Sequence, residues 1–285
     1  MLRSVAIAVI LAAVPAAAMP PPQGRQGGVR MAPSQIVEYV KQKKRDMVSR
    51  PGVVGPDAVP ALLPLLDDPD PQVRELTVHC LDRAGGPAAA QGLLKALNDR
   101  IETVSAAAVR ALAKNYTPAE IPALRGQMAR NSNEYVREEI ALLLGKTGDP
   151  SNLTPLAARK AAEKDEHALH AVTLAMARLG DTGSRGEVRT HLLQSGNAAL
   201  RVAALQDLPY VNDRSLLAEA APLLDDQRPG LNVGPSHGPY FMRVCDVLVM
   251  VMGEILGPVF SFDHGYRRFT PEELAQARHV LSQVR

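Results

Sequence analysis

The sequence predicts an all-α fold, an α-solenoid of about six helix pairs with capping helices at both ends. Three observations carry the prediction. The 285 residues are 46% hydrophobic but only 4% aromatic and contain no Trp, so the core has to be built from Ala, Leu and Val. One apolar slot recurs at Val73, Val104, Val136, Ala168, Leu200 and Met242, with separations of 31, 32, 32, 32 and 42 residues. A second slot eight positions on reads Leu81, Leu112, Leu144, Met176, Leu208 and Met250, and each such helix follows another apolar segment, which gives two helices per unit.

The elements follow in order. Arg3, an apolar run over residues 5–14 and the small residues Ala16, Ala17 and Ala18 have the pattern of a secretory signal peptide over residues 1–18, cut after Ala18. The ten-residue run is too short to span a bilayer, which needs ~20 residues. The protein is therefore expected in a bacterial periplasm or secreted, with no stable membrane insertion after cleavage. Residues 19–33, rich in Pro and Gly, read as a flexible linker, and residues 34–55 as an N-terminal capping helix. Ile36, Val37 and Val40 should pack on the first repeat, while Lys41, Lys43, Lys44 and Arg45 form its solvated face.

The repeat solenoid is expected over residues 56–257. Its pattern of V-R, an alanine-rich helix and a closing L-G-x-x-G-D is clearest at EYVREEIALLLGKTGD (134–149) and AMARLGD (175–181). It resembles the HEAT repeat, in the short bacterial form also found in bilin-lyase proteins. The resemblance implies a polar ladder in which Asp68 serves Arg74 and Asn131 serves Arg137, broken where Ser105 and Leu169 replace the arginine. It also implies that the second helices line a concave wall. At about 100° per residue, the third and seventh positions of each second helix point away from the core. On the concave wall those positions run from Glu75 and His79 to an exposed apolar stripe of Leu142, Leu174, Val202, Val244 and Leu248. An exposed stripe of this kind marks a partner surface, or else the C-terminal end of the chain covers it.

The ten extra residues of the sixth unit fall at 227–239, where Gly and Pro cannot continue a helix. Beyond the solenoid, residues 258–285 form an aromatic segment and a C-terminal capping helix with Thr270 as N-cap, Pro271 at the first position and Glu273 completing a capping box. Tyr240, Phe241, Phe260, Phe262, Tyr266 and Phe269 gather in or near this segment, either to close the open apolar end or to bind.

Chemistry is sparse by comparison. Gly234-Pro235-Ser236-His237-Gly238 spells a nucleophile-elbow pattern, but no strand is expected to deliver Ser236. His167 and His170 lie near Asp165 and Glu166 without a third metal partner in view, and read as a solvated helix start. Cys80 and Cys245 sit five units apart on inward helix positions and are expected as buried free thiols. A formal net charge of +2 excludes a dedicated nucleic-acid binder. The expected function is a non-enzymatic protein-interaction scaffold or adaptor without cofactor or metal, binding a protein or peptide. Its surface would be built from Leu142, Leu174, Val202, Val244, Leu248, His237, Tyr240 and Tyr266. The alternative, implied by the lyase-type repeats, is an enzyme or chaperone for a tetrapyrrole or bilin-type ligand.

Overall fold

A computed structural model describes residues 30–233 and 240–284. The signal-type segment, most of the linker, Ser236 and His237 lie outside the described residues. The fold is an all-α solenoid. Its first element is α1 (Pro33–Lys41), which buries Ile36 and Val40. It is shorter than expected because Lys43 takes a left-handed φ of 57°, after which a separate turn, α2 (Arg45–Val48), begins. Nor is the basic run simply a solvated face. Lys43 pairs with Asp70, and Arg45 Nη2 lies 2.6 Å from Glu75 Oε1.

Six helix pairs follow. The first helices of the pairs are α3 (Val59–Leu62, extended by a 3₁₀ turn), α5 (Gly86–Ala96), α7 (Ile121–Arg130), α9 (Leu153–Ala162), α11 (Thr182–Gln194) and α13 (Arg214–Glu219). The second helices are α4 (Pro71–Ala84), α6 (Glu102–Asn115), α8 (Glu134–Lys146), α10 (Glu166–Arg178), α12 (Ala198–Val211) and α14 (Val244–Leu256). Each second helix packs on the next, so α4 to α14 form one continuous row. The chain closes with α15 (Pro271–Ser282), whose Thr270 and Glu273 make the expected capping box.

The local sequence explains why these helices start where they do. The carboxylate or amide oxygens of Asp70, Asn133, Asp165 and Asn197 accept from the free N–H groups of α4, α8, α10 and α12. After α8 and α10 the chain turns at Gly148 and Gly180, with φ of 68° and 91°, values that a side chain disfavours.

Leu81, Leu112, Leu144 and Leu208 are all buried, as the repeated slot requires. The slot fails at Leu200, which is 57% exposed. Position 202 is rotated about 200° from it on the helix. The extra residues of the sixth unit cover that other side, so Val202 is buried instead.

Among those extra residues Pro229–Val233 form a strand, β1, which pairs antiparallel with β2 (Tyr240–Arg243), although the sequence suggests no strand here. β1 packs on α12 and α14. A Cβ on Gly230 would lie 2.5 Å from Val202 Cγ2 and 3.4 Å from Val244 Cγ2, so the glycine lets the strand backbone rest on both valines.

Candidate functional site

The expected stripe does not face water. Leu174, Val202, Val244 and Leu248 are buried, and Leu142 is half-buried. The hairpin covers Val202 and Val244, while Leu174 and Leu248 belong to the C-terminal core that Phe269 and α15 complete. Leu142 packs against both the N-terminal and the C-terminal core clusters, and its carbonyl accepts a 2.7 Å hydrogen bond from the Tyr210 hydroxyl. Helical spacing identified these five positions but could not show what covers them.

The arginines of the V-R pattern are structural, by a geometry different from the expected ladder. Arg74 donates through Nε and Nη2 to Asp99 at 2.7 and 2.9 Å, and only the backbone carbonyl of Asp68 is among its partners. Arg137 repeats this with Glu163 and the Asn131 carbonyl, and Arg201 pairs with Asp226 at 2.8 Å. Each arginine thus ties the start of its own helix to an acid about 25 residues on. Leu169 stands at the equivalent position of the fourth unit.

A cleft of about 220 Å³ opens at that unit, between α10, α11 and α12. Leu169, Thr173, Val188 and Ala204 form much of its wall, and Glu166, Glu187, Asp207, His170 and His191 supply its polar groups. Asp207 is 6% exposed, and its Oδ2 is 3.0 Å from His170 Nε2. The hydrogen bond to Asp207 raises the His170 pKa above its ordinary 6.5, against the effect of burial. His167 does not join the pair. Its backbone N–H is held by the Asp165 cap, and no metal-binding group of His, Cys, Asp and Glu occurs among the described residues.

The C-terminal cap is built around Asp246, which is fully buried although its charge interrupts an apolar stretch of sequence. Arg243 Nε and Nη2 donate to its carboxylate at 2.8 and 2.6 Å, and the Phe269 N–H donates to it at 3.0 Å. Phe260 and Phe262 stack with centroids 4.9 Å apart, and Arg267 lies over the Phe269 ring. Two aromatics stay outside this cluster: Phe241 is 50% and Tyr266 is 49% exposed. Arg268 Nε and Nη2 donate to the Phe241 carbonyl at 3.2 and 3.0 Å, which binds the Tyr266 segment to the hairpin. Tyr240 opens β2.

Cys80 and Cys245 are both buried and free. Burial pushes their thiols up to about 12 and about 11, outside the range of a reactive thiolate. No described helix is long and apolar enough to cross a membrane.

The model of the family described as HEAT repeats matches residues 52–113 and 91–177. No curated protein matches the chain. Among solved structures, the chain is similar to human deoxyhypusine hydroxylase in complex with glycerol, at 17% identity over 80% of this chain and 95% of that one, with a TM-score of 0.40. It is also similar to the complex of CpcE and CpcF of phycocyanin lyase from Nostoc sp. PCC7120, at 18% identity over 91% and 98% of the two chains, with a TM-score of 0.42. Residues 52–177 therefore carry HEAT repeats, and the chain has the architecture of an all-α HEAT solenoid.

Proposed function

We propose that the protein is an exported scaffold or adaptor that binds a protein or peptide partner at the C-terminal third of its solenoid, without a catalytic step of its own. One observation carries the reading. Among the described residues the large exposed hydrophobic side chains are Leu200, Phe241 and Tyr266, all within that third. Phe241 and Tyr266 flank Arg268, and aromatic residues with arginine are the composition of energetic hot spots at protein interfaces. Export rests on the N-terminal sequence pattern.

The test is capture from a periplasmic extract by the mature protein and by its Phe241→Ser, Tyr266→Ser double variant. Both side chains are about half exposed, and a thermal melt of the variant establishes that it is folded before capture is compared. Partners retained by the wild type should be lost. A well-folded variant with undiminished capture would remove this surface from the function. A pigment co-purifying with the chain would favour the tetrapyrrole alternative.

A further inference from the structure

We infer that the ends of α4, α6, α8 and α10 form a second docking surface, separate from the aromatic one, for an extended acidic protein segment with a carboxylate at every third residue. The inference starts from a slot that the repeats share. Ten residues after Val73, Val104, Val136 and Ala168 stand Arg83, Lys114, Lys146 and Arg178, one cation in the last turn of each of four consecutive second helices. These helices pack side by side, so the four charges form a row along the solenoid.

The row differs from the other cations of the solenoid in its partners. On the first helices, Lys95, Arg125, Lys160 and Arg185 each meet a carboxylate of a neighbouring unit within 3.2 Å. The arginines of the V-R pattern are neutralised as well. In the row, among the described residues, Lys114 alone has an ion pair, at 3.6 Å from Asp82. Arg83 and Arg178 donate to the backbone carbonyls of Ser49 and Tyr210, and the charge of Glu139 acts on Lys146 without an ion pair. The partial negative charge at a helix C-terminus, about half a unit, offsets only part of each cation. Tyr210 takes the slot in the fifth unit. Lys146 and Arg178 lie 5.8 and 5.3 Å from its ring centroid, which orients both without neutralising them.

A cleft at the N-terminal end of the row is an independent observation. It measures about 530 Å³ and lies between the loop after α2 and the ends of α4 and α6. Arg50, His79, Arg83 and Lys114 line it against one carboxylate, Asp82, which already accepts from Asn115 at 2.7 Å and pairs with Lys114. Arg50 and Arg83 are thus left without a counter-charge in a space large enough to admit an acidic side chain.

Spacing selects the occupant. Packed helices lie about 8–10 Å apart and an extended chain advances roughly 3.1–3.4 Å per residue, so every third side chain meets the next cation. A compact anion reaches one or two of these charges, whereas an extended acidic segment reaches all four. Single-stranded nucleic acid would also need aromatic faces for its bases, and the aromatic of the row, Tyr210, is already covered by two of its cations.

The test titrates the protein, in about 20 mM salt where screening is weak, with a labelled, capped peptide of four Glu-Pro-Pro triplets. Its polyproline II helix sets the carboxylates about 9 Å apart along one face. One control peptide has Gln in place of Glu, and another has the four Glu in a block followed by the eight Pro. The first peptide should bind saturably, about tenfold or more tighter than the Gln peptide, as several exposed ion pairs acting together allow, and about threefold or more tighter than the block peptide. Replacing both row lysines, Lys114→Gln with Lys146→Gln, should weaken binding about threefold or more, and Lys114→Arg with Lys146→Arg should retain it. Lys95→Gln with Lys160→Gln removes the same charge from the first helices and should leave binding unchanged. Equal binding of the Glu and Gln peptides, equal binding of the block peptide, or equal losses in the two Gln pairs would overturn the inference. Tighter binding of a twelve-nucleotide oligothymidylate than of the Glu-Pro-Pro peptide would overturn the assignment to a protein segment. The peptide comparisons are made on the wild type, so they stand even where a variant fails to fold. The Phe241→Ser, Tyr266→Ser variant should bind the peptide as the wild type does; a loss there would overturn the separation of the two surfaces.

Discussion

Arg137 and Glu163 meet through two hydrogen bonds of 2.8 Å, each guanidinium nitrogen facing its own carboxylate oxygen, with the Glu163 side chain fully buried. The pair joins the start of α8 to the end of α9, and Arg159 approaches the same carboxylate at 3.0 Å. These contacts, the hydrogen bond from Arg137 foremost, hold the Glu163 pKa down at about 2 against the opposing effect of burial. The folded value lies below the ordinary 4.5, so the stabilisation is complete above pH 4.5 and is lost as pH falls towards 2. Its size is on the order of 3 kcal/mol. Urea titrations across this window should show stability falling more steeply with acid for the wild type than for Glu163→Gln. Parallel slopes would contradict the assignment.

Leu144 and Gly145 test how tightly the helix row is packed. Leu144 is fully buried, and its truncation to Ala should lower stability by about 2–5 kcal/mol in a denaturant titration. A loss under about 0.5 kcal/mol would be a surface response and would contradict the repeat register. At Gly145 a Cβ would come 2.9 Å from the Ala175 Cα and would also strike the Tyr210 hydroxyl. Gly145→Ala should therefore destabilise by about 1–3 kcal/mol despite its better helix propensity. A stabilised variant would show that α8 and α10 are further apart than described.

Leu174→Ser and Leu248→Ser should each unfold the C-terminal units rather than disturb binding alone. Both leucines are buried, so a polar replacement leaves a cavity and an unmatched hydroxyl. The expected loss is at least the roughly 2–5 kcal/mol of a Leu→Ala change. A pair of variants melting with the wild type would restore the exposed stripe.

Much of the solenoid is legible in the sequence because each repeat carries its own signals. Val136 and Leu144 mark the buried side of α8, Asn133 its start and Gly148 its end, all within sixteen residues. The burial of the apolar stripe is not legible in this way. Leu174 and Val202 sit at helical positions that ought to face outward, yet Leu174 is buried in the C-terminal core, where α10 packs on α11 and α12, and Val202 lies under a strand of the next unit. No helical period contains that information. Asp207 is a second example. It resembles an ordinary helix-surface acid in sequence, and only the packing of α10 against α12 places it 3.0 Å from His170. The clustering of aromatics points to Tyr266, a composition signal that survives without knowledge of the packing. Phe241, beside the expected Tyr240, is exposed by the alternation of a strand, a signal that the glycines and prolines just before it obscure.

Hydrogen exchange of the protein, alone and with a partner retained in the capture experiment, tests the central claim most directly. Partner binding through the exposed aromatics predicts slowed exchange of the amides at 240–243 and 264–268, with α4 and α6 unchanged. Protection confined to the N-terminal units, with those two segments unaffected, would contradict it.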